Sequence, residues 1–136
     1  MYIKIVIPAM QYGKRTFIGG YVSSLRKKRG SGRAAKHDAW YHYAYLYLRA
    51  ALSSEGWKGE VIDEAGYKVT VIPWHQTKAH MDGTNVLKGI EDILVGKVKG
   101  VGTFFLKDDK MLEGHYHMAR YDKKNPRLIV IIERAD

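Results

Sequence analysis

Two short stretches hold the residues whose types and spacing could do chemistry. The first runs Asp82-Gly-Thr84-Asn85-Val-Leu-Lys88-Gly-Ile-Glu-Asp92. Asn85, Lys88 and Asp92 stand at i, i+3 and i+7, so a helix would carry them on one face. Asp82 falls just ahead of that helix. Each feature also has an ordinary structural explanation. Asp82 or Thr84 can cap the helix, and Lys88 with Asp92 can form an i,i+4 surface salt bridge. The second stretch is Lys107-Asp108-Asp109, which follows the apolar Phe104-Phe105-Leu106. Adjacent carboxylates at a strand end are hard oxygen ligands of the kind Mg²⁺ prefers. A turn or a protected sheet edge uses the same residues.

Other chemistries are absent or weak. There is no cysteine, which excludes disulfides, zinc ribbons and thiol nucleophiles. His80 lies two residues before Asp82, as a ligand or as an ordinary exposed histidine. His37, His42, His75, His115 and His117 form no recognisable ligand set. His115 and His117 alternate and would share a strand face, which suits a metal or a solvated pair. No Walker motif, dinucleotide fingerprint, nucleophile elbow or HExxH helix is present.

The charge is unevenly placed. The chain has 136 residues and a formal net charge of +9. Nine basic residues precede Asp38, the first acid: Lys4, Lys14, Arg15, Arg26, Lys27, Lys28, Arg29, Arg33 and Lys36. The other 14 basic residues are balanced by all 14 acids. An excess confined to one end suggests a polyanionic partner. These charges sit among Gly and Ser rather than on an amphipathic helix, which argues against a membrane surface. No apolar run reaches the roughly 18 residues that span a bilayer. The N-terminus lacks the layout of a signal peptide. The expectation is an intracellular, cytoplasmic protein with no membrane partner.

The elements that must position these residues follow from periodicity. Tyr2 to Ile7 alternates, with Ile3, Ile5 and Ile7 on one face, and reads as a strand ended by Pro8. Residues 11–36 read as a long basic loop, functional or mobile, with a short strand at Thr16 to Ile18. Ala34 to Leu52 turns helical. Trp40, Tyr43, Ala44, Tyr47 and Ala51 form its stripe, Leu48 and Leu52 widen it, and Ser53, Ser54 and Gly56 stop it. Its five aromatics read as facing a sheet rather than stacking on bases. Gly66 to Trp74 is a strand, and His75 to Asp82 a polar connection. Gly83 to Leu94 is a helix with Val86, Leu87, Ile90, Ile93 and Leu94 inward and Gly96 as its C-terminal glycine. Leu112 to Arg120 and Arg127 to Glu133 read as strands joined through Asp122 to Pro126. The order predicts one α+β domain over residues 1–136, a mixed sheet packed with two main helices.

Taken together, the two chemical stretches resemble the RusA-type Holliday-junction resolvases, a family of endodeoxyribonucleases. Their core motif runs Asp-x-Asp-Asn-x-x-Lys-x-x-x-Asp, followed by an Asp-Asp pair. The close resemblance covers about Asp82 to Met111, and the strand order and small size agree. Position by position, it implies that Asp82 is a metal ligand, Lys88 the essential lysine and Asp109 the catalytic aspartate, with Asp108 beside it at the metal. Asn85 and Asp92 match supporting helix positions. Thr84 departs from the pattern, standing where the family has its second aspartate. A threonine hydroxyl can hold a metal-bound water but supplies no negative charge.

The resemblance implies a Mg²⁺-dependent, structure-selective DNA endonuclease, with Mn²⁺ as a substitute, bacterial or phage-encoded, acting in recombination and repair. Carboxylate-held Mg²⁺ activates water and neutralises phosphate charge, and Lys88 would stabilise the phosphorane-like transition state or orient the attacking water. DNA, four-way junctions above all, would be gripped by Lys14, Arg15, Arg26, Lys27, Lys28, Arg29, Arg33 and Lys36. If five of these meet phosphates, log K should fall against log salt with a slope of roughly −4.5, at about −0.9 per contact. A four-way junction is two-fold symmetric, so a homodimer is implied. Two alternatives keep less of this picture. One is a RusA-like junction-binding protein weakened or inactivated at Thr84. The other is a general basic nucleic-acid-binding protein whose acidic pairs are structural.

Overall fold

The computed structural model describes residues 1–12, 15–19, 32–64, 66–78, 83–97, 100 and 102–135, and only the backbone of residues 12, 15 and 32–37. Strand β1 (Tyr2–Pro8) buries Ile3, Ile5 and Ile7 and exposes the residues between them, as a period of two requires. Three strands follow it into one sheet. These are β4 (Tyr67–His75), β5 (Leu112–Tyr116) and β7 (Arg127–Arg134), ordered β1-β7-β4-β5, and the short β6 (Arg120–Tyr121) also pairs with β4. The β1–β7 and β7–β4 ladders are antiparallel, whereas β5 and β6 run parallel to β4. The sheet is therefore mixed, and the fold is α+β.

Register sets which residues form the core. Ile5 pairs with Val130, which pairs with Val71, and Ile3 pairs with Ile132, which pairs with Val69. All six are buried on one face. Helix α1 (Gly32–Ser54) covers that face with Trp40, Ala44, Leu48 and Leu52, each fully buried. The expected stripe was centred slightly off. Leu48 and Leu52 lie at its middle, and Tyr47 is exposed at its rim. The bland reading of the aromatics holds for most of them. Trp40 is buried, while Tyr41, Tyr43 and Tyr45 pack partly against the core. Helix α2 (Gly83–Leu94) buries Val86, Leu87, Ile90, Ile93 and Leu94, as its apolar spacing predicts.

Three expectations change. The segment read as loop over 11–36 contains a hairpin, β2 (Met10–Tyr12) with β3 (Arg15–Phe17), and its last residues already belong to α1. Local pairing and helix propagation reach further than polar composition suggested. The strand expected over Leu112 to Arg120 is broken after Tyr116. β5 pairs with β4 as far as Val71, and β6 resumes at Trp74, leaving Pro73 opposite the gap. Proline has no N–H for a ladder, so an interior strand tolerates it where pairing lapses. Phe104-Phe105-Leu106 is fully packed but is no regular strand. It makes a single bridge, Leu106 to Ile62. Among the described residues, no helix is long and apolar enough to cross a membrane.

Candidate functional site

Two glycines set the lie of α2 on the sheet. A methyl group at Gly83 would come within 2.7 Å of the Tyr116 ring, at the C-terminal end of β5. A methyl group at Gly114, inside β5, would reach within 2.9 Å of Leu87 and 3.0 Å of Glu91. So α2 starts at the end of β5 and runs back along it. Eight residues separate Gly83 from Glu91, roughly 12 Å of helix at about 1.5 Å per residue.

The far end of α2 is built by hydrogen bonds. Gly96 takes a left-handed φ of 79°. Its N–H donates to the Ile93 carbonyl at 3.1 Å, and the Lys97 N–H donates to the Asp92 carbonyl at 2.9 Å. This is a Schellman closure, which satisfies carbonyls a helix end leaves open. The reversal sends Lys97 back across the helix end, where its Nζ donates to Asp109 Oδ2 at 2.9 Å. Asp109 opens a short 3₁₀ turn (Asp109–Met111) that leads into β5. Asp108 caps that turn, its Oδ1 accepting the Lys110 N–H at 3.0 Å.

Electrostatics ties these groups together. Lys97 holds the Asp109 carboxyl below its usual range, through its hydrogen bond first and its charge as well. In return Asp109 raises the Lys97 ammonium. Lys88 Nζ lies 3.3 Å from Asp92 Oδ1, and Asp92 is buried. Glu91 is pushed up, chiefly by burial, with Asp92 and Asp109 adding repulsion while Lys88 and Lys97 oppose it. The C-terminal half of α2 and the Asp108–Asp109 turn therefore form one charged ensemble, four carboxyl groups interleaved with two ammonium groups.

The expected site residues fare differently. Asp82 and His80 lie outside the described residues, as do Lys14, Arg26, Lys27, Lys28 and Arg29. Arg15 sits in β3 and Arg33 and Lys36 in the first turns of α1, by backbone alone. Thr84 is exposed in the first turn of α2, and Asn85 is half-buried one residue on. Lys88 and Asp92 do form the i,i+4 pair, but Asp92 is buried rather than solvated. The segment that follows α2 folds back on its end, with the Phe105 N–H on the Leu94 carbonyl at 3.0 Å. His115 bonds to Glu113 at 2.8 Å. His117 lies past the end of β5, so the two histidines do not share a strand face.

Sequence reading missed Glu91 and Lys97. Glu91 lies three residues after Lys88, and only the Gly114 slot marks it out. Lys97 directly follows a C-terminal glycine, the position a Schellman turn folds back. Among the described residues, Asp109 pairs with Lys97 just beyond the C-terminal end of α2 and adds to the repulsion on Glu91. Hard carboxylate oxygens are the right donors for Mg²⁺. Among the described residues, however, no three His, Asp or Glu side chains group to hold a metal. Asp109 is engaged by Lys97 and Asp108 by its cap, and Asp82, the third ligand the resemblance implies, lies outside the described residues. A scan against protein-family models returns no match, and a search of curated proteins returns none either.

Proposed function

We propose that this chain is a structure-selective DNA endonuclease of the RusA type, hydrolysing phosphodiesters at four-way junctions as a homodimer. The observation that supports the reading best is the charged ensemble of Lys88, Glu91 and Asp92 on α2 with Lys97 and Asp109. In it Asp92 holds a half-exposed ammonium, Lys88, fixed in direction beside carboxylates. A fixed cation of this kind can stabilise charge developing on a phosphoryl group. The reading takes Mg²⁺, or Mn²⁺ in its place, as cofactor, with Asp82, Asp108 and Asp109 as ligands. It therefore requires Asp109 to exchange Lys97 for the ion. Lys14, Arg15, Arg26 to Arg29, Arg33 and Lys36 would bind the phosphates, releasing counterions.

The pairing of Lys97 with Asp109 favours a second reading, a junction-binding protein that does not cut. An acidic site whose charge Lys88 and Lys97 partly offset repels DNA less without a metal. Thr84, uncharged where the motif has an acid, points the same way.

One experiment separates these readings. The protein is incubated with a labelled four-way junction and a matched linear duplex, with Mg²⁺, with Mn²⁺ or with chelator. Cutting of the junction with either ion, lost in Asp109→Asn with binding retained, supports the nuclease. Preferential binding with no cutting under either ion rejects it for the second reading. Equal binding to junction and duplex without cutting rejects both. Thr84→Asp then tests the departure from the motif, a gain of cutting showing that the carboxylate matters.

A further inference from the structure

The count of charges placed the whole excess before Asp38, but the balanced remainder is uneven in space. Between β6 and the start of β7 the chain reads Arg120-Tyr-Asp122-Lys123-Lys124-Asn-Pro-Arg127, four cations against one carboxylate. That carboxylate is spent on the turn itself. Asp122 Oδ1 accepts the backbone N–H of Lys124 at 3.2 Å and of Asn125 at 3.1 Å. Its other oxygen accepts from Arg127 Nη1 at 3.0 Å. Lys123 and Lys124 are left exposed on the turn. Among the described residues, neither they nor Arg120 forms an ion pair.

The turn is held rigidly against the end of the sheet. The Asp122 N–H donates to the His75 carbonyl at 2.9 Å, and the Ala9 N–H to the Pro126 carbonyl at 3.0 Å. The Trp74 ring lies beneath both arginines, with the Arg127 guanidinium 4.6 Å and the Arg120 guanidinium 5.4 Å from its centroid. Such contacts fix the direction of a guanidinium without consuming its charge. Tyr121 is exposed beside them. The N-terminal hairpin reaches the same end of the sheet, since Thr16 Oγ1 donates to Gln76 Oε1 at 2.8 Å, one residue beyond β4. The backbone that leads into the basic N-terminal segment therefore passes this end of the sheet.

We infer that the turn carrying Lys123 and Lys124, with Arg120 on Trp74, is a second phosphate-binding surface for nucleic acid, separate from the N-terminal basic segment. It rests on the DNA-binding part of the proposed function, but not on cutting. A preordered cationic turn meets a phosphodiester backbone at low entropic cost.

The test compares two double variants that remove the same charge, Lys123→Ala/Lys124→Ala and Arg49→Ala/Lys58→Ala. Binding to a labelled four-way junction and to linear duplex is measured across a salt series, with chelator present so that nothing is cut. If both turn lysines meet phosphates, the turn variant shows a salt dependence shallower by about 1.8 in the slope of log K against log salt, at about 0.9 per contact. The Arg49/Lys58 variant keeps the wild-type slope. Equal losses in the two variants would mean net charge alone matters and would overturn the inference, as would an unchanged turn variant. If the wild-type chain binds neither DNA, the inference falls together with the proposed function, an outcome distinct from the other two.

Discussion

Gly96→Ala tests how the fold carries the charged site. Both helices end in the same way. At α1, Gly56 has φ of 97°, its N–H donates to Ser53 and the Trp57 N–H to Leu52. At α2, Gly96, Ile93, Lys97 and Asp92 repeat that pattern. The two glycines differ in what surrounds them. A methyl group at Gly56 meets nothing within 4 Å, whereas one at Gly96 overlaps the Gly102 carbonyl oxygen and comes within 2.5 Å of Thr103 Cα. Alanine at Gly56 therefore costs only left-handed strain, about 1–2 kcal/mol. Alanine at Gly96 costs the same strain plus about 1–3 kcal/mol of overpacking, because backbone cannot swing away as a side chain can. At about 2 kcal/mol per molar urea, the unfolding midpoint should fall by roughly 0.5–1 M for Gly56→Ala and by roughly 1–2.5 M for Gly96→Ala. Urea unfolding followed by circular dichroism reads both. The turn also aims Lys97, so Gly96→Ala should let the Asp109 carboxyl titrate nearer its ordinary range, while Gly56→Ala leaves it alone. Equal midpoints for the two variants would refute the reasoning, since they would show that the close approach at Gly102 and Thr103 does not exist.

Other consequences follow from the same geometry. Ile90→Ala, at a fully buried position of α2, should cost about 2–5 kcal/mol in the same unfolding assay. Lys88→Met leaves the buried Asp92 carboxylate without its cation and should cost about 1–3 kcal/mol; a loss indistinguishable from zero would make the pair an ordinary surface bridge. Lys97→Met should raise the Asp109 titration midpoint, read by NMR of the labelled carboxyl, because the depression comes first from the Lys97 hydrogen bond. Glu91 is raised in the folded chain, so the native state holds its proton more tightly than the unfolded state does. Its contribution to stability is then lost as pH rises from the ordinary glutamate range to the raised one. Glu91→Gln should remove that part of the pH dependence, and an unchanged stability–pH curve would show that Glu91 is solvated.

Much of the architecture was legible because it rests on local rules. Alternation in Tyr2 to Ile7 and the 3.6 period between Gly83 and Leu94, closed by a glycine, fixed two elements and their buried faces without reference to the rest of the chain. The hairpin over Met10 to Phe17 was harder. Its strands are only three residues long, too short for an alternating pattern to stand out, although Met10 and Phe17 pack against the core. The break between β5 and β6 was harder still. Its counterpart, Pro73, lies about 40 residues away and meets it only across the sheet.

The candidate site divides along the same line. Residue types and short spacings determined that Asn85, Lys88 and Asp92 share one helix and that Asp108 and Asp109 follow the apolar Phe104-Phe105-Leu106 as hard acids. They also determined that the charge excess precedes Asp38. Tertiary structure alone decided which of these groups meet. The lie of α2 on β5 and the turn after Gly96 bring Lys97 onto Asp109 and put Glu91 within its electrostatic reach. The end of the sheet gathers Trp74, Arg120 and Arg127 from three separate elements. Periodicity reports which way a side chain faces from its own element. Which neighbour it faces is set by strand order and helix direction, and these depend on packing the whole core at once.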